Sequence, residues 1–153
     1  MASRPMTDLN QARSLLERGK LAFVLVREGK VIATGDDYGV RELLAAVDRL
    51  GALARGASLA DKIVGKAVAL IVVHAGICGV DTRVVSESAV KLLKAHGVPF
   101  SATTVVPQIL NRRGDGPCPM EKVTMPFEEV APGIEALRAF IAARRAGIPL
   151  PSS

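Results

Sequence analysis

Val80–Val106 reads VDTRVVSESAVKLLKAHGVPFSATTVV, and this stretch decides the fold. VDTRVVS is a strand and VPFSATTVV is another. Between them SESAVKLLKAHG is a helix, with Ser86 as its cap and Gly97 as its stop. Strand, helix and strand in succession pair in parallel through a right-handed crossover. A parallel pair needs cover on both faces, so the rest of the chain must supply helices on each side of a sheet.

Working backwards, LADKIVGKAVALIVVHAG (59–76) reads as a helix capped by Ser58, with Asp61 three residues on as a weak capping box. From Ala67 to Val73 it is apolar all round, which predicts burial on most sides. VRELLAAVDRL (40–50) is an amphipathic helix that stops at Gly51, and ARGAS (54–58) links the two. LAFVLVREGKVIAT (21–34) is a hairpin turning at Glu28 and Gly29. The first helix carries Leu9, Ala12, Leu15 and Leu16 on one face, with Thr7 as cap and Gly19 as stop. Working forwards, PGIEALRAFIAARRAG (132–147) closes the chain with Pro132 in the first helical turn. The expectation is one domain over residues 1–153, with a core over about 7–145 and a loose tail at 147–153. Its class is α/β: a mixed sheet with helices on both faces.

The 153 residues are 49% hydrophobic, enough for one sizeable core. The apolar run from Ala67 to Val73 falls far short of the roughly 20 residues needed to cross a bilayer. No apolar stretch follows the charged start, so no secretory signal is read. Two cysteines make no disulfide scaffold, which points to a reduced, cytoplasmic protein. The net charge of +5 suits an acidic partner. Aromatic residues are only 3% of the chain, and nucleic-acid binders stack bases on rings, so nucleic acid is disfavoured. A small anionic ligand fits better. No membrane partner is expected, and a homodimer through apolar surface on the tail stays open.

Three clusters carry chemistry. Lys62 and Lys66 lie four apart, which on a helix is one face. Cations in a first turn oppose the helix dipole, and a bound anion would relieve both. Asp61 offsets one of them, and Gly65 leaves room for close approach. The alternative is that both stems reach solvent. Ser86 sits at a strand-to-helix junction, where backbone amides bind anions, though capping is the commoner use. NRRGDGPCPMEK (111–122) places Cys118 between prolines, with Arg112, Arg113 and Lys122 nearby. If Pro119 opens a short helix, Cys118 is its cap, and such a thiol is more nucleophilic. Glu121 is then one turn on as acid or base. The alternative is a rigid turn whose thiol only packs.

His74, His96, Cys78 and Cys118 show no zinc spacing. Each histidine precedes a glycine at a helix end, where it favours the dipole. Cys78, in GICGV, reads as a small core residue. No cofactor is expected. An enzyme here would be cysteine-dependent and not a zinc hydrolase.

GASLADKIVGKAVALIV, VVSESAVKLLKAHGV and VVPQILNRRGDGPCPMEK together resemble a prokaryotic family of uncharacterised proteins. That family is a domain of unknown function with a cytidine-deaminase-like fold, which implies a three-layer α/β/α sandwich around a mixed sheet of about five strands. The resemblance runs from about Thr7 to Arg145 and is densest from Gly56 to Lys122. Zinc deaminases carry His-x-Glu at one helix start and Pro-Cys-x-x-Cys at the next. Here those starts read SLADKIVGK and SESAVK, without a zinc ligand. The resemblance therefore implies the fold and the place of a pocket, and not the hydrolysis. It sets Asp61, Lys62 and Lys66 where the first metal-ligand helix begins and Ser86 and Ser88 where the cysteines stand, with CPMEK extra and placed to fold over them. The function expected is a zinc-free, deaminase-like protein with a pocket for a small anionic, nucleotide-like ligand and a reactive cysteine. A non-catalytic ligand sensor and a nucleic-acid-binding module are the alternatives.

Overall fold

The computed structural model describes residues 4–36, 40–111 and 113–147. The elements run α1 (Arg4–Arg18), β1 (Phe23–Arg27), β2 (Lys30–Gly35), α2 (Val40–Leu50), β3 (Ser58–Val64) and α3 (Lys66–Ala75). There follow β4 (Gly79–Ser86), α4 (Glu87–Ala95), β5 (Phe100–Val106), α5 (Pro119–Thr124) and α6 (Val130–Arg145). The five strands form one sheet in the order β2-β1-β3-β4-β5. β1 is antiparallel to β2 and β3, while β3, β4 and β5 are parallel. This is the mixed α/β sheet expected from Val80–Val106. The tail beyond 147, and the dimer surface expected on it, lie outside the described residues.

Two apolar clusters hold the layers. Ala12 and Leu16 of α1 meet Val24, Val26 and Ala60 of the sheet. The larger cluster joins the sheet to α2, α3, α4 and α6 around Leu25, Leu59, Leu70, Leu93 and Leu137. α3 is buried from Ala67 to Val72, as its all-round apolar sequence requires. Among the described residues no helix is long and apolar enough to cross a membrane.

The stretch Ser58–Val64 corrects the sequence reading. It is a central strand and not the first half of a helix. Phe23, Asp61 and Thr82 lie directly opposite one another across β1, β3 and β4. Its pattern, SLADKIV, alternates poorly because Ser58, Leu59 and Ala60 are buried in succession, on both faces of the sheet. Gly65 keeps an extended backbone (φ −102°, ψ −172°), and the helix begins only at Lys66. Ser58 therefore caps nothing, and Asp61 belongs to no capping box. Thr7 also lies inside α1, which begins at Arg4. Pro5 in the first turn needs no hydrogen-bond acceptor and favours that earlier start.

Glu28 and Gly29, at φ 52° and 79°, make the tight turn of the β1–β2 hairpin. Asp8 of α1, 1% exposed, accepts hydrogen bonds from both of their amides, at 2.8 and 2.9 Å. One buried carboxylate thus ties α1 to the hairpin. Asp8→Ala orphans two amides and is expected to cost about 3 kcal/mol in denaturant unfolding. A loss below about 1 kcal/mol would mean that apolar packing alone seats α1.

Candidate functional site

The parallel strands β3 and β4 deliver the starts of α3 and α4 to one end of the sheet. Open α/β sheets bind ligands at the carboxyl ends of their strands. α5 crosses that end and packs on α3. Cys118 is its N-cap and Pro119 its first residue, as the sequence predicts. The Cys118 carbonyl accepts from the amides of Glu121 and Lys122, at 2.9 and 3.0 Å.

The side chain of Glu121 reaches the start of α3. It is 6% exposed. Its two carboxylate oxygens accept hydrogen bonds from the amides of Lys66, at 2.8 Å, and Ala67, at 3.0 Å. Free amides at a helix start are an anion site, and Glu121 fills this one from another helix. Gly65 makes the approach possible, because a Cβ there would stand 2.5 Å from the carboxyl group. Lys66 answers in the other direction, its Nζ donating to the Met125 carbonyl at 2.9 Å. Lys66 stands in the first turn of α3, and the carboxylate set against the amides of that turn is the protein's own.

The other sequence candidates separate. Asp61 and Lys62 are neighbours on β3, so their side chains leave opposite faces. Lys62 and Lys66 share no helical face. Lys62 lines a hollow of 280 Å³ with Lys20, Ala22 and Asp36. Asp61 is half-buried and accepts from the Ile63 amide at 3.2 Å, and desolvation pushes its carboxyl up to about 8. Ser86 is fully buried and caps α4, accepting from the Ala89 amide at 3.2 Å. Arg113 is exposed on the loop before α5, and Arg112 lies outside the described residues. A second hollow, of 460 Å³, lies on the α1 side of β4 and β5, between Arg13, Arg83 and Thr103. Neither hollow opens between α3 and α5.

Sequence reasoning placed Cys118 and missed the use of Glu121. The signal available was Gly65 followed by a lysine in a first turn, which calls for an anion from somewhere. The two thiols differ. Cys78 donates to the Gly56 carbonyl at 3.1 Å, while no hydrogen bond holds the Cys118 side chain among the described residues. Brief alkylation at neutral pH is expected to label Cys118 before Cys78. Peptide mapping that finds Cys78 labelled first would count against a reactive site on α5.

The sequence profile of a domain of unknown function, DUF1893, matches residues 11–141. No curated protein matches the chain. A solved DUF1893 family protein (TM1506) from Thermotoga maritima is 25% identical over 89% of each chain, with a TM-score of 0.77. RibD of Acinetobacter baumannii is 18% identical over 65% of this chain and 35% of its own, with a TM-score of 0.48. The dCMP deaminase of cyanophage S-TIM5 is 15% identical over 64% of this chain and 95% of its own, with a TM-score of 0.46.

The starts of α3 and α4 meet at the same end of the sheet, and their groups are already engaged. The start of α3 presents a lysine and two amides already bonded to Glu121. The start of α4 presents Ser86, engaged as a cap. Among the described residues no three His, Cys, Asp or Glu side chains gather as a metal site.

Proposed function

The chain belongs to the DUF1893 family, and from that premise we propose that it is a deaminase-like binding protein for a small anionic, nucleotide-like ligand. The ligand takes the α3 amides that Glu121 holds in the closed form. The observation that carries this reading is the pair of bonds from Lys66 and Ala67 to one buried carboxylate. A phosphate group offers the same acceptors with more charge. Lys66 would turn from the Met125 carbonyl to that phosphate, and α5 would lift as Glu121 leaves. Binding is favoured over catalysis because both carboxylate oxygens of Glu121 are engaged with the α3 amides.

The test is a series of melting curves for wild type, Glu121→Gln and Lys66→Met with inorganic phosphate, nucleotides and sugar phosphates. A ligand at a hundredfold excess over its dissociation constant stabilises by about 2.7 kcal/mol. Glu121→Gln, a weaker internal competitor, is expected to bind more tightly than wild type, and Lys66→Met more weakly. If no compound shifts either wild type or Glu121→Gln, the carboxylate is only a structural cap and the binding reading fails.

A further inference from the structure

β5 is an outer strand of the sheet, paired with β4 along Phe100–Val106. FSATTVV holds no charge and no proline, and none of its residues is buried. Val105 is 56% exposed. The Pro99 carbonyl accepts from the Val80 amide at 3.1 Å and so faces β4. Backbone groups alternate sides along a strand. Phe100, Ala102, Thr104 and Val106 therefore turn their N–H and C=O groups outward, where nothing among the described residues meets them.

Proteins blunt such edges with charges, prolines or bulges. The opposite edge follows that rule: β2 begins on Lys30, and its pairing with β1 shifts register at Leu25/Val26. β5 has none of these devices along its length.

We propose that a second copy of this chain pairs antiparallel along β5, about a two-fold axis at Thr103. The sequence selects that register. Pro99 and Pro107 stand equally far from Thr103 on either side. Centring the pair there sets Phe100 against Val106 and Ala102 against Thr104, all residues with outward groups. This makes about eight backbone hydrogen bonds. Thr103 meets its own copy in a position without backbone bonds, where side chains come closest. Pro99 and Pro107 fall opposite each other just beyond the paired residues, so the ladder spans the whole of β5. A second copy suits the edge better than a charged partner, because identical uncharged strands meet without repulsion. On the strand behind, Arg83 of each β4 would stand about 14 Å apart across three strand spacings, beyond the screening length of about 8 Å at physiological salt. The resulting ten-stranded sheet is within the range of open sheets.

The experiment is sedimentation of the full chain across micromolar concentrations, with hydrogen exchange read at the outward amides. Wild type is expected to dimerise, with Ala102 and Thr104 amides protected only as the dimer forms. Thr103→Lys and Thr103→Glu each place like charges about 5 Å apart at the axis. Each variant alone is expected to stay a folded monomer, and an equimolar mixture to dimerise. A monomeric wild type overturns the proposal, including one whose edge takes an extended peptide from another protein. So do a dimer that survives both single charges, a mixture that stays monomeric, or outward amides that exchange freely at every concentration. The exchange measurement decides the matter without variants should Thr103→Lys or Thr103→Glu fail to fold.

Discussion

Glu121→Ala is expected to lower the unfolding free energy by about 3 kcal/mol. For a chain of this length that is roughly 6–12 °C in melting temperature. Two amides buried at the start of α3 lose their acceptor, and Lys66 is left as a cation in the first turn with no anion beside it. The fixing of α5 on α3 goes with it. Glu121→Gln keeps the shape and one carbonyl acceptor, so about half the loss is expected. Gly65→Ala should act in the same direction by another route, since its Cβ would displace the carboxyl group from 2.5 Å. Denaturant unfolding of the three variants is the measurement. A loss below about 1 kcal/mol for Glu121→Ala would show that solvent replaces the carboxylate at no cost.

Asp61 is expected to make the protein less stable as pH rises from about 4 to about 8. Its carboxyl is pushed up from 3.8 to about 8, chiefly by desolvation, with the Ile63 and Lys62 amides pulling the other way. In this window the folded state keeps a proton that the unfolded chain has released. Stability is then fully present below the unfolded value and is lost as pH climbs through the folded one. The ceiling on the slope is about 1.4 kcal/mol per pH unit. Asp61→Asn removes the titration and keeps the volume, so its stability should vary less over the window and exceed that of wild type at the upper end. The readout is the difference between wild type and variant in unfolding free energy, at pH about 5 and about 8. A difference that does not change with pH would mean that water reaches the carboxylate and leaves its titration ordinary.

Much of the architecture was legible because its signals are local. The β1–β2 turn is written in Glu-Gly, the α4 cap in Ser86, and the α5 start in Cys118-Pro119. His74 and His96 stand in the last turn of α3 and at the C-cap of α4, where the dipole argument puts them. The misreading at Ser58–Val64 also has a physical cause. Lys62 and Lys66 keep a helical spacing across a strand, a glycine and a helix, so the period carries no information there. The ladders from β1 and β4 override whatever helical preference the segment has.

The sequence by itself determined the α/β class, the parallel crossover at Val80–Val106, the ends of most helices and the family. Each of these depends on residues within a few positions of one another or on a pattern read along the chain. Only the tertiary structure decided which groups meet across long separations. Glu121 reaches amides more than fifty positions away, and Asp8 reaches a turn about twenty positions away. A buried carboxylate and two unpaired amides are complementary wherever they lie in the chain, and sequence spacing has no term for that. The lysines looked like the mark of a foreign anion because a first-turn cation needs a negative partner. Folding supplied that partner from α5, which is why the candidate site is closed by the protein's own side chain.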